Sequence, residues 1–523
     1  MFKIISKGWK AEKYVEKCIH SVMSQKDPNW EMYIVLDPSD DETYNLAKKY
    51  QSNRIQVFVN QTQMFGSHNL FKAVQLSHST DDDILLFLDL DDWLANENVL
   101  SIIKKHYLDN SNLMVTYGSW QGYPDPNIPT NNGAYSKEDF NNGLRKLNVG
   151  AWRGSHCKTM KYKVFKRIRE SDFKLDGISW LGSAVDLVIM YAALEMVGYE
   201  RSKHISDILY IYNRYEHNCD KDKKENQEQC AEYVICKIRP YHMILDFNRK
   251  NINTLIFSKD RSAQLDLLLR SIIDNFKPLL ENEIIVYYKA TTDSFKKGYE
   301  KLINKFKNYN FVFIPEGYSF AQDIKIIVND FAEEYSLCLV DDEVVIRKPD
   351  LKYIYNFFND GINGISLRMN PSIDYSYTSE CYMQRPKLDI NDGLIMKWNW
   401  TRAVPPGDWS YPSCINSHIR KTKDFKKIIN EINFHGVNDL EAQINSHRNY
   451  QKPYMLAFNK SITISIPNNV TQKYMSRNAG KTIFGLENMN TAYLNGYIIN
   501  INNLYGLENT MPTIPVDFNF IQG

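Results

Sequence analysis

The chain repeats itself. From the N-terminus, the β-rich runs FKIIS, WEMYIVLD, RIQVFVN and DILLFLDLDD alternate with the amphipathic stretches AEKYVEKCIHSVMSQ, DETYNLAKKY and GSHNLFKAVQLS. From about residue 252 the series begins again with NTLIFSKDR, SAQLDLLLRSIIDNF, NEIIVYYKA, SFKKGYEKLINKF, YNFVFIPEG, SFAQDIKIIVNDF and YSLCLVDDEVV. Ser6 and Lys7 recur as Ser258 and Lys259, Ser67 as Ser319 and Asp89 as Asp341, each pair 252 residues apart. A strand–helix series of this kind specifies a parallel sheet covered by helices, and a long internal period specifies two copies of it.

Size agrees with two copies. A chain of 523 residues exceeds what one core can hold, since single cores stop growing near roughly 300 residues. The expected division is a first α/β domain over 1–225, a helical linker over 226–251 within DKDKKENQEQCAEYVICKIRPYHMILDFNRKN, and a second α/β domain over 252–523. With 63 Lys+Arg against 62 Asp+Glu, the net charge of +1 offers no global field for a polyanion and disfavours a dedicated nucleic-acid binder. Eight cysteines without a CxxC pair read as reduced thiols, neither a zinc ribbon nor a disulfide scaffold. No apolar run is long enough to span a bilayer and the opening MFKIISKGWKAEKY is not a signal peptide, so the expected location is cytoplasmic.

The most informative segment is Leu85-Leu86-Phe87-Leu88-Asp89-Leu90-Asp91-Asp92-Trp93, an apolar strand ending in three carboxylates within four residues. Ligands of open α/β sheets bind beyond the carboxyl ends of the strands. Carboxylates there suit a hard divalent ion, Mn²⁺ or Mg²⁺, which takes oxygen ligands and bridges phosphate oxygens, so a diphosphate-bearing substrate is expected. The competing reading is an acidic turn that caps the next helix through Asp92 or Asn96.

The order of the motifs resembles family 2 of the GT-A-fold glycosyltransferases. A first strand leads into a helix patterned like AEKYVEKCIHSVMSQ, then come the acidic turn VLDPSDDET, the Gly-x-x-Asn segment Gly66-Ser-His-Asn69 and the DxDD strand end. The likeness continues through SHCKTMKYKVFKRI, GSAVDLVIMYAALEMVGYE and ILYIYN, covering about residues 1–216. It implies two tandem GT-A domains, a nucleotide-sugar donor, a glycan or other hydroxyl acceptor, and Mn²⁺ or Mg²⁺. By position it implies that Asp37 contacts the nucleotide base, Asn69 and Asp89 help bind the donor, Asp91 coordinates the metal, and Asp186 serves as the general base of an inverting reaction. His217 is a candidate further metal ligand. The chain departs from the family in having Lys7-Gly8-Trp9-Lys10 where Pro-x-Tyr-Asn is common, and Pro38 where a glycine is usual.

The second half resembles bacterial and phage GT-A-like domains that open on a Phe-Ser-Lys-Asp-Arg strand end, here Phe257 to Arg261. At the 252 offset Asp341 falls on Asp89 as a donor-binding residue and Glu343 on Asp91 as a metal ligand. Asp439 and Glu441 lie where a general base is expected, and Asn469 and Gln472 near the donor. Two readings stand open: a second active transferase, making the chain bifunctional, or a degenerate copy kept for carbohydrate binding or assembly. A transferase acting on modified bases of phage DNA is a further alternative, which the run Lys158, Lys161, Lys163, Lys166, Arg167, Arg169 permits and the net charge does not support. That run reads first as a solvated helix face, and Trp120, Trp152, Trp180, Trp398, Trp400 and Trp409 read first as core.

Overall fold

The computed structural model describes residues 1–127, 133–147, 152–214, 224–248, 250–317, 319–391, 393–467 and 485–523; His217, Asn469 and Gln472 lie outside them. Contacts divide the chain into two compact units, Met1–Asn248 and Arg249–Gly523.

The first unit runs β1 (Phe2–Gly8), α1 (Val15–Met23), β2 (Trp30–Leu36), α2 (Thr43–Lys48), β3 (Ile55–Val59), α3 (Phe65–Leu76), β4 (Ile84–Phe87), β5 (Trp93–Leu94), α4 (Val99–Asp109), β6 (Val115–Tyr123), α5 (Lys137–Asn142), β7 (Lys158–Lys161), α6 (Tyr162–Phe165), the hairpin β8 (Lys174–Leu175) and β9 (Ser179–Trp180), α7 (Val185–Val197), β10 (Ser202–Asn213) and α8 (Lys224–Cys236). Eight strands form one sheet in the order β3-β2-β1-β4-β7-β6-β10-β5. The first four are parallel and β7 runs antiparallel between β4 and β6. β1, β2 and β4 are buried along nearly their whole length, as strands covered on both faces must be. α7 is buried on almost every side, and its one early acidic residue is Asp186, where the helix dipole favours negative charge. α8 lies in the stretch expected to connect the two domains, yet Cys230, Val234, Ile238 and Phe247 are buried in the first unit's core.

The second unit runs β11 (Ile252–Lys259), α9 (Ser262–Asn275), β12 (Ile284–Lys289), α10 (Asp293–Phe306), β13 (Phe311–Pro315), α11 (Phe320–Asn329), β14 (Tyr335–Val340), β15 (Glu343–Val345), α12 (Leu351–Phe357), β16 (Ile362–Ser366), the hairpin β17 (Tyr375–Ser376) and β18 (Cys381–Tyr382), β19 (Leu388–Asn391), β20 (Ile395–Asn399), β21 (His418–Lys421), α13 (Thr422–Glu431), α14 (Val437–Ser446), β22 (Tyr454–Phe458), β23 (Thr463–Ser465), α15 (Leu486–Leu494), β24 (Tyr497–Ile499) and β25 (Phe520–Gln522). Its main sheet is ordered β13-β12-β11-β14-β21-β16-β22-β20-β19, with β21 antiparallel to β14. Position for position this repeats β3-β2-β1-β4-β7-β6-β10, so both units are α/β domains of one topology.

The constant 252-residue offset does not survive the ladders. With Ile5 matched to Phe257, Tyr33 lies opposite Ile5 as Tyr287 lies opposite Phe257, 254 apart. Phe87 and Val340 hold the equivalent places on the fourth strand, 253 apart. Leu88 N–H donates to Ile5 O and Asp341 N–H to Phe257 O, so Asp341 stands where Leu88 does and not on Asp89. Five residues separate β4 from β5, whereas two separate β14 from β15, and Glu343 is already the first residue of a strand. The expected match of Asp341–Glu343 to Asp89–Asp91 is therefore corrected: the loop that carries the first unit's carboxylates is shortened in the second.

Candidate functional site

At the carboxyl ends of β1, β2 and β4 the first unit holds a cavity of about 580 Å³, whose walls include Lys7, Trp9, Asp37, Asn69, Asp89 and Asp91. This is where a doubly wound sheet binds its ligand, and the volume suits a nucleotide-sized molecule. Lys10 and Phe65, both on its wall, have left-handed backbones with φ of 51° and 68°. Such conformations in residues other than glycine concentrate at ligand sites.

Asp37 directly follows β2 and is buried. Its Oδ1 accepts from Asn60 Nδ2 at 2.8 Å and Met64 N–H at 2.9 Å, and its Oδ2 from Phe65 N–H at 2.9 Å. The carboxylate thus caps the start of α3 and keeps about one of its four acceptor positions for a ligand. Asn60 also donates to Asn69 Oδ1 at 2.6 Å and accepts from Lys72. It was absent from the expected site, although it directly follows β3, the same strand-end position that marked Asp37.

Asp89 forms an ion pair with Lys7 Nζ at 2.7 Å. Asp92 is buried: Tyr210 OH donates to one oxygen at 2.6 Å and Asn213 N–H to the other at 2.7 Å. Burial, then the nearby Asp91 and Asp89, push its carboxyl well above the usual range. Asp92 therefore braces the loop from beneath, while Asp89 and Asp91 line the cavity and offer hard oxygen donors. Among the described residues no three His, Cys, Asp or Glu side chains gather as a metal cluster. The donor set fits an ion held by one or two carboxylates and completed by substrate phosphates, the usual arrangement for Mg²⁺.

Asp186 sits in the first turn of α7, just past Gly182 and Ser183 of the cavity wall. Lys158 Nζ reaches it at 2.8 Å, and Lys158 also contacts His156 Nδ1 at 3.0 Å. An ammonium only donates, so Nδ1 accepts and the imidazole proton lies on Nε2, 4.0 Å from Asp186. Burial and then Lys158 hold His156 down to about 3, leaving it neutral. The ring stacks on Tyr210 at 4.3 Å and Tyr212 at 5.2 Å. For Asp186, burial opposes ionisation, but the charges of Lys158 and Lys7 more than offset it and keep the carboxyl below the usual carboxylate range. The site thus joins an ionised carboxylate to a carboxylate-lined cavity through Lys7, His156 and Lys158.

Of the remaining cations of the Lys158–Arg169 run, Lys161 and Lys163 pair with Asp82, Lys166 with Asp81 and Arg169 with Asp172, while Arg167 donates to Lys163 O at 2.8 Å. Trp120, Trp398, Trp400 and Trp409 are buried core residues. The seven described cysteines are free thiols. Among the described residues no helix is long and apolar enough to cross a membrane.

In the second unit Asp341 is buried and accepts from Ser258 Oγ, Lys259 N–H and Arg261 Nη1 at 2.9–3.0 Å. Glu343 is fully buried and accepts from Val340 N–H. Burial pushes it up to about 8 against the pull of Arg368. It is therefore largely protonated at neutral pH and shut off from solvent, whereas Asp91 lines the cavity. Glu441 in α14 accepts from Ile415 N–H at 2.7 Å and Cys414 Sγ at 3.3 Å, and Asp439 accepts from His435 N–H at 2.9 Å.

The first unit's fold and cavity define an α/β domain with a carboxylate-lined cavity at the carboxyl ends of its parallel strands. Residues 8–169 match the model of Glycosyl transferase family 2, so this part of the chain is a glycosyltransferase domain of that family. The bifunctional glycosyltransferase pgtA of Dictyostelium discoideum is 28% identical over 203 residues, 36% of this chain and 26% of that protein. The Escherichia coli UDP-Glc:alpha-D-GlcNAc-diphosphoundecaprenol beta-1,3-glucosyltransferase WfgD is 24% identical over 151 residues, 29% of this chain and 57% of that protein. The match thus spans about a quarter to a little over half of these relatives' lengths. Among solved structures, S. aureus TarS 1–349 in complex with UDP is similar at 20% identity and a TM-score of 0.34, covering 46% of this chain and 67% of that one.

Proposed function

We propose that the first unit transfers a sugar from a nucleotide-diphosphate donor to a hydroxyl acceptor with inversion at the anomeric carbon. The observation that carries this reading is the family 2 cavity itself, with Asp37, Asn69, Asp89 and Asp91 on its wall and an ionised Asp186 beside it. Asp37 has acceptor capacity left for a nucleobase, Asp89 and Asn69 would bind the donor, and Asp91 would hold Mn²⁺ or Mg²⁺. The ion would neutralise charge developing on the leaving nucleoside diphosphate. Asp186 takes the proton of the attacking hydroxyl, which demands an unprotonated carboxylate, and Lys158 keeps it in that state. A DNA acceptor finds little support in the Lys158–Arg169 run, because most of its charges pair with carboxylates of the domain.

The second unit is better read as non-catalytic, serving carbohydrate binding or assembly. Its shortened β14–β15 loop, the Arg261 pair on Asp341 and the sealed Glu343 favour this over a bifunctional chain. The test is to screen nucleotide sugars with Mn²⁺, determine the anomeric configuration of the product, and repeat with Asp91→Asn and with Asp341→Ala/Glu343→Ala. Loss in the first and retention in the second is expected. A retained configuration overturns the role of Asp186, and abolished turnover of one acceptor alone in the double variant restores the bifunctional reading.

A further inference from the structure

Lys7 is this chain's own departure from the family pattern, standing where a proline is common. It is the penultimate residue of β1, so its side chain emerges at the ligand-binding end of the sheet and lines the cavity. Its ammonium lies 2.7 Å from Asp89, and both side chains are reachable, 20% and 27% exposed. The alkyl chain runs past Gly66 in the first turn of α3: a Cβ there would meet Lys7 Cδ at 3.3 Å, Cε at 3.5 Å and Nζ at 3.8 Å. Glycine thus leaves the lysine a track along the cavity wall that any larger residue would crowd.

The cavity faces an electrostatic difficulty. A diphosphate must approach Asp89 and Asp91, and like charges repel strongly where solvent is excluded. The described residues supply no three-ligand cluster able to hold a divalent ion firmly before the donor arrives. Lys7 removes half of the difficulty in advance, since it neutralises Asp89 and sits where phosphate oxygens would enter.

We propose that Lys7 is a donor-binding residue whose ammonium exchanges Asp89 for the diphosphate of the nucleotide sugar. The exchange releases Asp89 for the ribose or the metal at the moment the donor binds, and it gives the protein a metal-independent share of its diphosphate affinity. This rests on the donor reading above and adds a cation supplied by the chain itself. It differs from a merely structural ion pair, which would leave ligand affinity unchanged once the fold is intact.

The test uses the full chain with UDP, GDP and the corresponding nucleosides, each titrated calorimetrically in EDTA and in Mn²⁺. Wild-type protein is expected to bind one nucleoside diphosphate in EDTA, and Lys7→Met to weaken that binding on the order of 10- to 100-fold, the range of a charge-assisted hydrogen bond. Lys7→Arg, which keeps the charge, restores most of the loss, and nucleoside affinity stays the same in all three proteins. Equal diphosphate affinity in wild type and Lys7→Met overturns the proposal while leaving the donor reading standing. An equal loss for the nucleoside also overturns it, since the effect is then a distorted pocket. Wild-type protein that binds no nucleotide under either condition overturns the donor reading and this inference together.

Discussion

Replacing Asp186 should cost the first unit stability as well as activity, and the structure sets the size of both effects. Lys158 is 2% exposed and Asp186 35% exposed, joined at 2.8 Å. At an effective dielectric of ~20 the attraction is about 6 kcal/mol, most of it spent offsetting the burial of the ammonium. Removing one partner of a buried pair costs about 3–5 kcal/mol, because the other charge is left stranded. Asp186 is partly open to water, so the lower end applies. Asp186→Ala leaves the more deeply buried charge alone and should lose about 3 kcal/mol, which lowers the melting temperature by about 6–12 °C in a domain of this size. Lys158→Met leaves only a half-open carboxylate and should lose about 1 kcal/mol. The double variant should resemble Lys158→Met, giving a coupling of about 3 kcal/mol in a double-mutant cycle. Calorimetry of the full chain, following the transition that donor binding shifts, measures all four proteins. A parallel pH profile separates catalysis from folding. Lys158 holds Asp186 below the usual range, so the group keeps its stabilising charge above about pH 5 and loses it only as pH falls below the carboxylate range. Without Lys158, burial raises the carboxyl, and the acid limb of kcat/KM should move to higher pH. If Asp186→Ala melts within about 2 °C of wild type, Lys158 has another partner and the argument fails.

Three further outcomes follow from the same geometry. Glu343, pushed up to about 8, stabilises the second unit through its protonated form; that contribution is full below about pH 4 and fades as pH rises through 8, so Glu343→Gln should flatten the decline seen in chemical denaturation between pH 6 and 9. Asp91→Asn should remove the strengthening of UDP or GDP binding by Mn²⁺, by at least about tenfold, while leaving affinity in EDTA nearly unchanged; an intact metal increment would place the ion elsewhere. Gly8→Ala would set a Cβ 2.7 Å from Leu90 Cδ2, between Asp89 and Asp91, and should cost about 1–3 kcal/mol and weaken donor binding; a neutral effect in both measurements would mean that the loop is freer than its packing implies.

The tandem architecture was legible because topology is written in hydrophobic periodicity, which insertions barely disturb. Each apolar run became a strand and the sheet order repeated. Register is different, since it depends on loop lengths that periodicity does not record. The 252-residue spacing holds on the first strand and not beyond it, since the second strands stand 254 apart and the fourth 253, so the equal spacing of Ser67 and Asp89 is a coincidence of residue type. Ser67 is inside α3, whereas Ser319 is the N-cap of α11 with its hydroxyl accepting from Gln322 N–H. A sequence offset therefore supports a shared fold and says little about shared chemistry.

The first unit's site was half legible for a related reason. Strand-end carboxylates announce themselves, because an apolar strand gives little reason to finish in Asp-Leu-Asp-Asp unless something beyond it needs charge. The cations that tune them do not. Lys158 lay in a run of six basic residues whose bland reading was a solvated face, yet it is almost fully buried and holds Asp186. What distinguishes it from Lys163 or Lys166 is its place at the head of an antiparallel strand inserted between β4 and β6, which aims it at the carboxyl ends of the parallel strands. Single-sequence periodicity cannot see that insertion, since β7 is four residues long and pairs across a separation of more than seventy with β4. The chemistry proposed for this cavity thus rests less on the motif than on which lysine the sheet order delivers to which carboxylate.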